Sequence, residues 1–285
     1  MSLEEKVRKL GVDHDRLSRV VVVEGVLVND SPLRIGRPGE ALRSPVDLAL
    51  ERLPDGRPYI PGSSLKGVLR SLAERIARST GYRVCNVFAI RNPCDAGAWV
   101  ARRVLEAAKK WSSIGLDDIL RGAREKFKDV PETEELLNKL SGCRDLDSVV
   151  KVLEEEGVPC VVCRVFGCRE LASHLYVYDC YPKEEPTVEY RTRVAIDRFR
   201  RAARSGALFT YEYVPPGYKW RFRLKFFNLE GDARQLVESL LDYIRKVGIE
   251  VGSMRSVGLG RLVLKEAITS EYVVKKFRLV KVGGG

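Results

Sequence analysis

Residues 219–227 read Lys-Trp-Arg-Phe-Arg-Leu-Lys-Phe-Phe, and they alternate strictly. Lys219, Arg221, Arg223 and Lys225 fall on one side of an extended chain; Trp220, Phe222, Leu224 and Phe226 fall on the other. Side chains on a strand point to opposite faces with a period of two. The segment is therefore predicted as a strand with one apolar and one basic face. Residues 18–28, Ser-Arg-Val-Val-Val-Val-Glu-Gly-Val-Leu-Val, form a β-branched run that predicts a second strand.

Helical spacing appears between and around these strands. Leu65, Val68, Leu69, Leu72 and Ile76 recur on one helical face after Ser63 and Ser64, two candidate caps. Leu236, Val237, Leu240, Leu241 and Ile244 do the same over 232–246. Further strands are predicted at 207–214, before the Pro215-Pro216-Gly217 turn signal, and at 261–267. Residues 82–206 read as an insertion with helical stretches near 97–111, 116–128, 132–140 and 145–156. Without it the order is β-α-β-β-α-β, so the fold expected is α+β, with a ferredoxin-like (RRM-like) core hosting a long, mainly helical insertion. The 285 residues are then one domain, 1–285.

Charge narrows the function. There are 50 basic and 39 acidic residues, a net charge of +11, and 33 of the basic residues are Arg. Arg presents a planar fork that matches phosphate and stacks on flat rings, so a polyanionic partner is expected. Five Asn, one Gln and two Met fit a thermophile composition; that explains many charges but not the excess of one sign. No uncharged apolar run is long enough to span a membrane, and the charged N-terminus is followed by no apolar signal region. A cytoplasmic location is expected. With only His14 and His174 available, a His/His ribonuclease pair or a Ser-His-Asp site is disfavoured.

Two motifs carry candidate chemistry. Ile60-Pro-Gly-Ser-Ser-Leu-Lys-Gly67 places Ser63, Ser64, backbone N–H groups and Lys66 at a helix start, where phosphate is attracted. Gly252-Ser-Met-Arg-Ser-Val-Gly-Leu-Gly260 is a glycine-rich loop in which Arg255 adds charge and Gly258 and Gly260 permit close backbone approach. Seven cysteines are present. Cys160-x2-Cys163 has metal-ligand spacing and Cys85-x8-Cys94 is a second pair; together they form a candidate four-cysteine zinc site, with disulfides as the rival. Cys143, Cys168 and Cys180 read as packing residues.

Ile-Pro-Gly-Ser-Ser-Leu-Lys-Gly followed by a C-terminal Gly-x-Gly loop resembles the RAMP superfamily of CRISPR-associated proteins. Leu33-Arg-Ile-Gly36, Pro45-Val-Asp-Leu48, Cys160-Val-Val-Cys-Arg-Val-Phe-Gly167 and Arg193-Val-Ala-Ile-Asp-Arg198 are similar to further stretches of that family. The resemblance implies a backbone subunit of a type III CRISPR effector complex. Such a subunit binds guide RNA and cleaves complementary target RNA, using Mg2+ or Mn2+. It would partner with copies of itself and with other effector subunits. Asp47 matches the cleavage residue, and Arg34 stands where many relatives have His. Arg193 and Arg198 lie in a thumb-like segment, part of the 82–206 lid and thumb insertion. A non-catalytic capping subunit and a stand-alone guide-processing endoribonuclease are the alternatives.

Overall fold

The computed structural model describes residues 1–36, 49–86, 92–110 and 113–284. A short helix α1 (Leu3–Arg8) precedes the Val-rich strand β1 (Arg19–Asn29) and the amphipathic helix α2 (Gly62–Ser79). Five helices follow: α3 (Pro93–Ala108), α4 (Leu116–Phe127), α5 (Pro131–Ser141), α6 (Leu146–Glu155) and α7 (Val161–Phe166). The chain then forms β2 (Leu175–Val177), the hairpin of β3 (Glu189–Asp197) and β4 (Ala202–Tyr213), β5 (Lys219–Phe227) and α8 (Gly231–Lys246). It ends with β6 (Ile249–Glu250), β7 (Arg261–Lys275) and β8 (Arg278–Gly284).

The main sheet has the order β2-β5-β1-β7-β6, with β8 added to β7, and every pairing is antiparallel. Counting only β1, β2, β5 and β7, with α2 after β1 and α8 after β5, this is the expected βαββαβ arrangement. The fold is α+β. The apolar side of β5 explains which face is covered: Trp220, Phe222, Leu224 and Phe226 are all buried, as are Leu65, Leu69 and Leu72 of α2 and Leu236, Leu240 and Ile244 of α8. The indole N–H of Trp220 donates to Asn29 Oδ1 at 3.0 Å, so the largest ring in this layer carries no unmet polar group.

The predicted helices at 97–111, 116–128, 132–140 and 145–156 correspond to α3 through α6. One strand assignment needs correction. Residues 207–214, expected as the second core strand, mostly belong to β4, which pairs with β3 in a separate two-stranded sheet. The core position is taken by the three residues of β2, which pair with Leu224–Phe226 of β5. Three residues are too few to show a period, whereas the longer β4 shows one and so attracts the assignment. The stretch 82–206 therefore contains a core strand as well as the helical block, all of β3 and the start of β4.

Candidate nucleic-acid interface and metal centre

The four cysteines predicted as a set converge. Cys94 lies in the first turn of α3, Cys160 caps α7 and Cys163 lies one turn later. Cys85 follows α2. The four Sγ atoms lie within 4.8 Å of one another, and all four side chains are reduced. Cys94, Cys160 and Cys163 are buried. Four thiolates at about 2.3 Å from a zinc ion stand roughly 3.8 Å apart at tetrahedral angles, so little movement separates this cluster from a closed structural site. The surroundings suit negative sulfur: the N–H of Cys160 donates to Cys94 Sγ at 3.1 Å, and Arg70 Nη2 approaches Cys163 Sγ at 3.6 Å. The thiols hydrogen-bond among themselves, which holds the Cys160 thiol below its ordinary range and pushes those of Cys94 and Cys163 above theirs. Of the three cysteines read as packing residues, Cys180 is fully buried, and burial pushes its thiol up to about 12.

The start of α2 differs from the sequence expectation. Neither Ser63 nor Ser64 is the cap; Pro61 occupies that position and offers no side-chain bond. The first N–H, that of Gly62, donates instead to Asp179 Oδ1 at 2.7 Å. Gly62 is glycine because the helix start presses on the segment after β2: a Cβ there would lie 2.4 Å from the Val177 carbonyl oxygen. Ser63 is exposed and Ser64 half-buried, and their hydroxyls have no partner among the described residues. Lys66 is half-buried and points inward, its Nζ donating to Ser173 Oγ at 2.9 Å. Burial, then the neighbouring Arg70, holds this amine below its usual range. In this arrangement the Lys66 side chain ties α2 to the turn before β2.

The glycine-rich loop packs against the Leu33–Gly36 turn. The N–H of Ser253 donates to the Arg34 carbonyl at 2.9 Å, and that of Gly260 donates to the Pro32 carbonyl at 2.8 Å. A Cβ on Gly252 would lie 2.1 Å from the Arg34 carbonyl oxygen, so only glycine permits the approach. Arg34 is 5% exposed, bonds Ser253 Oγ, and leaves Nε without a partner. Burial lowers its guanidinium from the usual range, and the carboxylate of Glu212 works against that. Arg34 is thus buried beneath the glycine-rich loop and supports it. Gly260 is buried too, whereas Arg255 and Gly258 stand exposed at the loop tip.

The hairpin β3–β4 rests on this loop. Tyr211, Tyr213 and Leu259 form a small buried cluster, with Phe209 and Met254 against it. Arg191 lies over the Tyr213 ring at 4.9 Å, and Arg193 over Tyr211 at 5.5 Å. Arg193 is accordingly half-buried, while Arg198 is exposed beside the hairpin turn. Glu212 accepts from the Leu50 N–H at 2.9 Å and pairs with Arg52 at 3.1 Å. Gly36 bridges to Leu50. Asp47 lies outside the described residues.

The uncovered face of the sheet adds residues that composition alone did not single out. Lys219, Arg221 and Arg223 of β5 are exposed. Beside them stand Tyr176 and Tyr178, with Lys225 Nζ 4.7 Å from the Tyr176 ring centre and the Arg223 guanidinium 5.1 Å from that of Tyr178. Exposed aromatic rings interleaved with cations form a surface on which bases stack and phosphates are neutralised. The signal was the Tyr-x-Tyr spacing at 176–178, which acquires meaning only once β2 is known to lie beside β5.

No helix among the described residues is long and apolar enough to cross a membrane. The family model of the RAMP superfamily matches residues 27–263 of the chain. No curated protein matches it.

Proposed function

The chain belongs to the RAMP superfamily, whose members are CRISPR-associated and bind RNA, and from that premise we propose that it is a backbone subunit of a type III effector complex. In this reading it holds guide RNA along the tip of the glycine-rich loop, the β3–β4 hairpin and the basic face of β5. A complementary target RNA pairs with the guide, and base pairing supplies the sequence specificity. Asp47 assists in-line attack of a 2′-OH on its own phosphate, with Mg2+ or Mn2+ as the divalent ion.

The observation that supports this reading best is the packing of the Arg-bearing hairpin onto the glycine-rich loop through Tyr211, Tyr213 and Leu259. It sets Arg255 at the loop tip and Arg198 at the hairpin turn on connected elements, as a clamp on a continuous RNA backbone requires. The cysteine cluster contributes a structural zinc that joins the start of the helical block to its end.

The test is cleavage of a guide-complementary RNA by the assembled complex, with and without divalent metal. Asp47→Ala is expected to abolish cleavage and leave RNA binding nearly intact. Wild-type cleavage by that variant would put the non-catalytic capping reading first. Histidine-based guide processing is disfavoured because both ring nitrogens of His174 are already engaged.

A further inference from the structure

The chain contains only two histidines, and they lie far apart in sequence. The fold brings their rings together, with centroids 4.0 Å apart. Asp13 completes the group, and one ligand atom from each of Asp13, His14 and His174 lies within 4.8 Å of the others. His174 is fully buried and Asp13 is 5% exposed, while His14 reaches solvent.

Both ring nitrogens of His174 face acceptors. Nδ1 lies 2.9 Å from the carbonyl oxygen of Arg164, and Nε2 lies 2.8 Å from Asp13 Oδ1. A carbonyl and a carboxylate both accept, and a neutral imidazole has one N–H. Donation from Nδ1 to a backbone carbonyl is the arrangement that orients metal-bound histidines. It turns the Nε2 lone pair toward the lone pairs of a buried carboxylate. Two such atoms at this distance need a cation to hold them, either a second proton on the ring or a metal ion. Donors about 2.0–2.2 Å from one ion stand roughly 3.3–3.6 Å apart at tetrahedral angles, so the ring and the carboxylate would part by somewhat less than 1 Å to admit it.

His14 offers the third donor. Its ring packs against that of His174, which sets the two imidazoles side by side. Asp13 and His174 also line a cavity of about 550 Å3 between α1 and the start of α8. It leaves room for water at the remaining coordination positions. Of the arginines that line this cavity, Arg8 is neutralised by Glu4 at 2.7 Å and Asp15 at 2.6 Å.

We propose that Asp13, His14 and His174 bind a divalent transition-metal ion of the Zn2+ class, in a site separate from the four cysteines. Two imidazoles and one carboxylate suit such ions and discriminate against Mg2+ and Ca2+. The ion pins the segment between α1 and β1 to the turn before β2.

The test is a Co2+ titration of the full chain, stripped of metal and kept reduced. Co2+ at the cysteines gives a strong sulfur-to-metal charge-transfer band, whereas Co2+ at Asp13, His14 and His174 gives only weak visible bands. The expected result is one equivalent of the second kind, weakened at least tenfold in His14→Gln with any thiolate band unchanged. His14 is exposed, so this variant is expected to keep the fold; circular dichroism checks it. The readouts separate the two sites: a missing thiolate band counts against the cysteine centre alone. Absence of the second equivalent in the wild type, or its survival in His14→Gln, overturns the proposal. So does an imidazole nitrogen spectrum that shows His174 doubly protonated in the presence of excess Zn2+.

Discussion

The carboxylate of Asp179 accepts a 2.7 Å hydrogen bond from the backbone N–H of Gly62, so the helix that opens the Pro-Gly-Ser-Ser motif is capped from a segment 117 positions away in the chain. This contact joins the start of α2 to the end of β2 and aligns the motif with the sheet. Asp179→Ala removes the acceptor and leaves a helix-terminal donor without its partner. The expected cost is about 1 kcal/mol. It is read as a lower urea midpoint with an unchanged slope; an unchanged midpoint would show that water replaces the carboxylate without loss.

The N-terminal helix carries a pH-sensitive pairing. Arg8, with its side chain 4% exposed, bonds Asp15 at 2.6 Å, and Lys109 pairs with the same carboxylate. The Arg8 hydrogen bond is the main reason the Asp15 carboxyl sits well below its usual range. A carboxyl depressed by folding stabilises above its unfolded pKa, near 3.9, and that contribution fades as pH falls below it. Asp15→Asn is expected to cost roughly 1–2 kcal/mol at pH 7. The gap from wild type should close progressively below about pH 4. Thermal unfolding at several pH values checks both parts, and a gap independent of pH would contradict the pairing argument.

The cysteine centre predicts a bound metal. Freshly purified, unchelated protein is expected to hold about one zinc per chain at Cys85, Cys94, Cys160 and Cys163, besides any ion at Asp13, His14 and His174. A Cys94→Ser, Cys163→Ser double variant should lose that equivalent and melt at a lower temperature, because the ion joins α3 to α7. Elemental analysis and thermal unfolding measure the two effects. A Cys160–Cys163 disulfide in the isolated protein would count against the centre.

RNA binding should weaken steeply with salt, since each neutralised phosphate on a single strand contributes a slope of about −0.7 in log K against log[salt]. Arg221→Ala and Arg223→Ala should each flatten that slope by up to about 0.7, as should Arg255→Ala. Lys66→Ala should leave it unchanged, because its ammonium is engaged by Ser173. Fluorescence anisotropy at a series of salt concentrations separates these classes. A flattened slope in Lys66→Ala would restore that lysine to the RNA-binding set.

Local pattern was sufficient wherever one segment carries its own period. The alternation in β5, the Val run of β1 and the apolar stripes of α2 and α8 are consequences of which face each element must bury, so they can be read without the rest of the chain. The spacing of Cys160 and Cys163 was likewise visible, and pairing them with Cys85 and Cys94 required only that the helical block close on itself. Tertiary structure decided the rest. The second core strand is the short β2, recognisable only by its pairing with β5. Lys66 and Arg34 carry the charge of phosphate ligands, yet packing turned one toward Ser173 and buried the other beneath the glycine-rich loop. Asp13 and His174 have no relation in sequence and touch only because the segment after α1 and the turn before β2 both meet Arg164 of α7. Periodicity reports how an element meets a surface; which distant side chains meet each other depends on how the elements pack, and that information is spread over the whole chain.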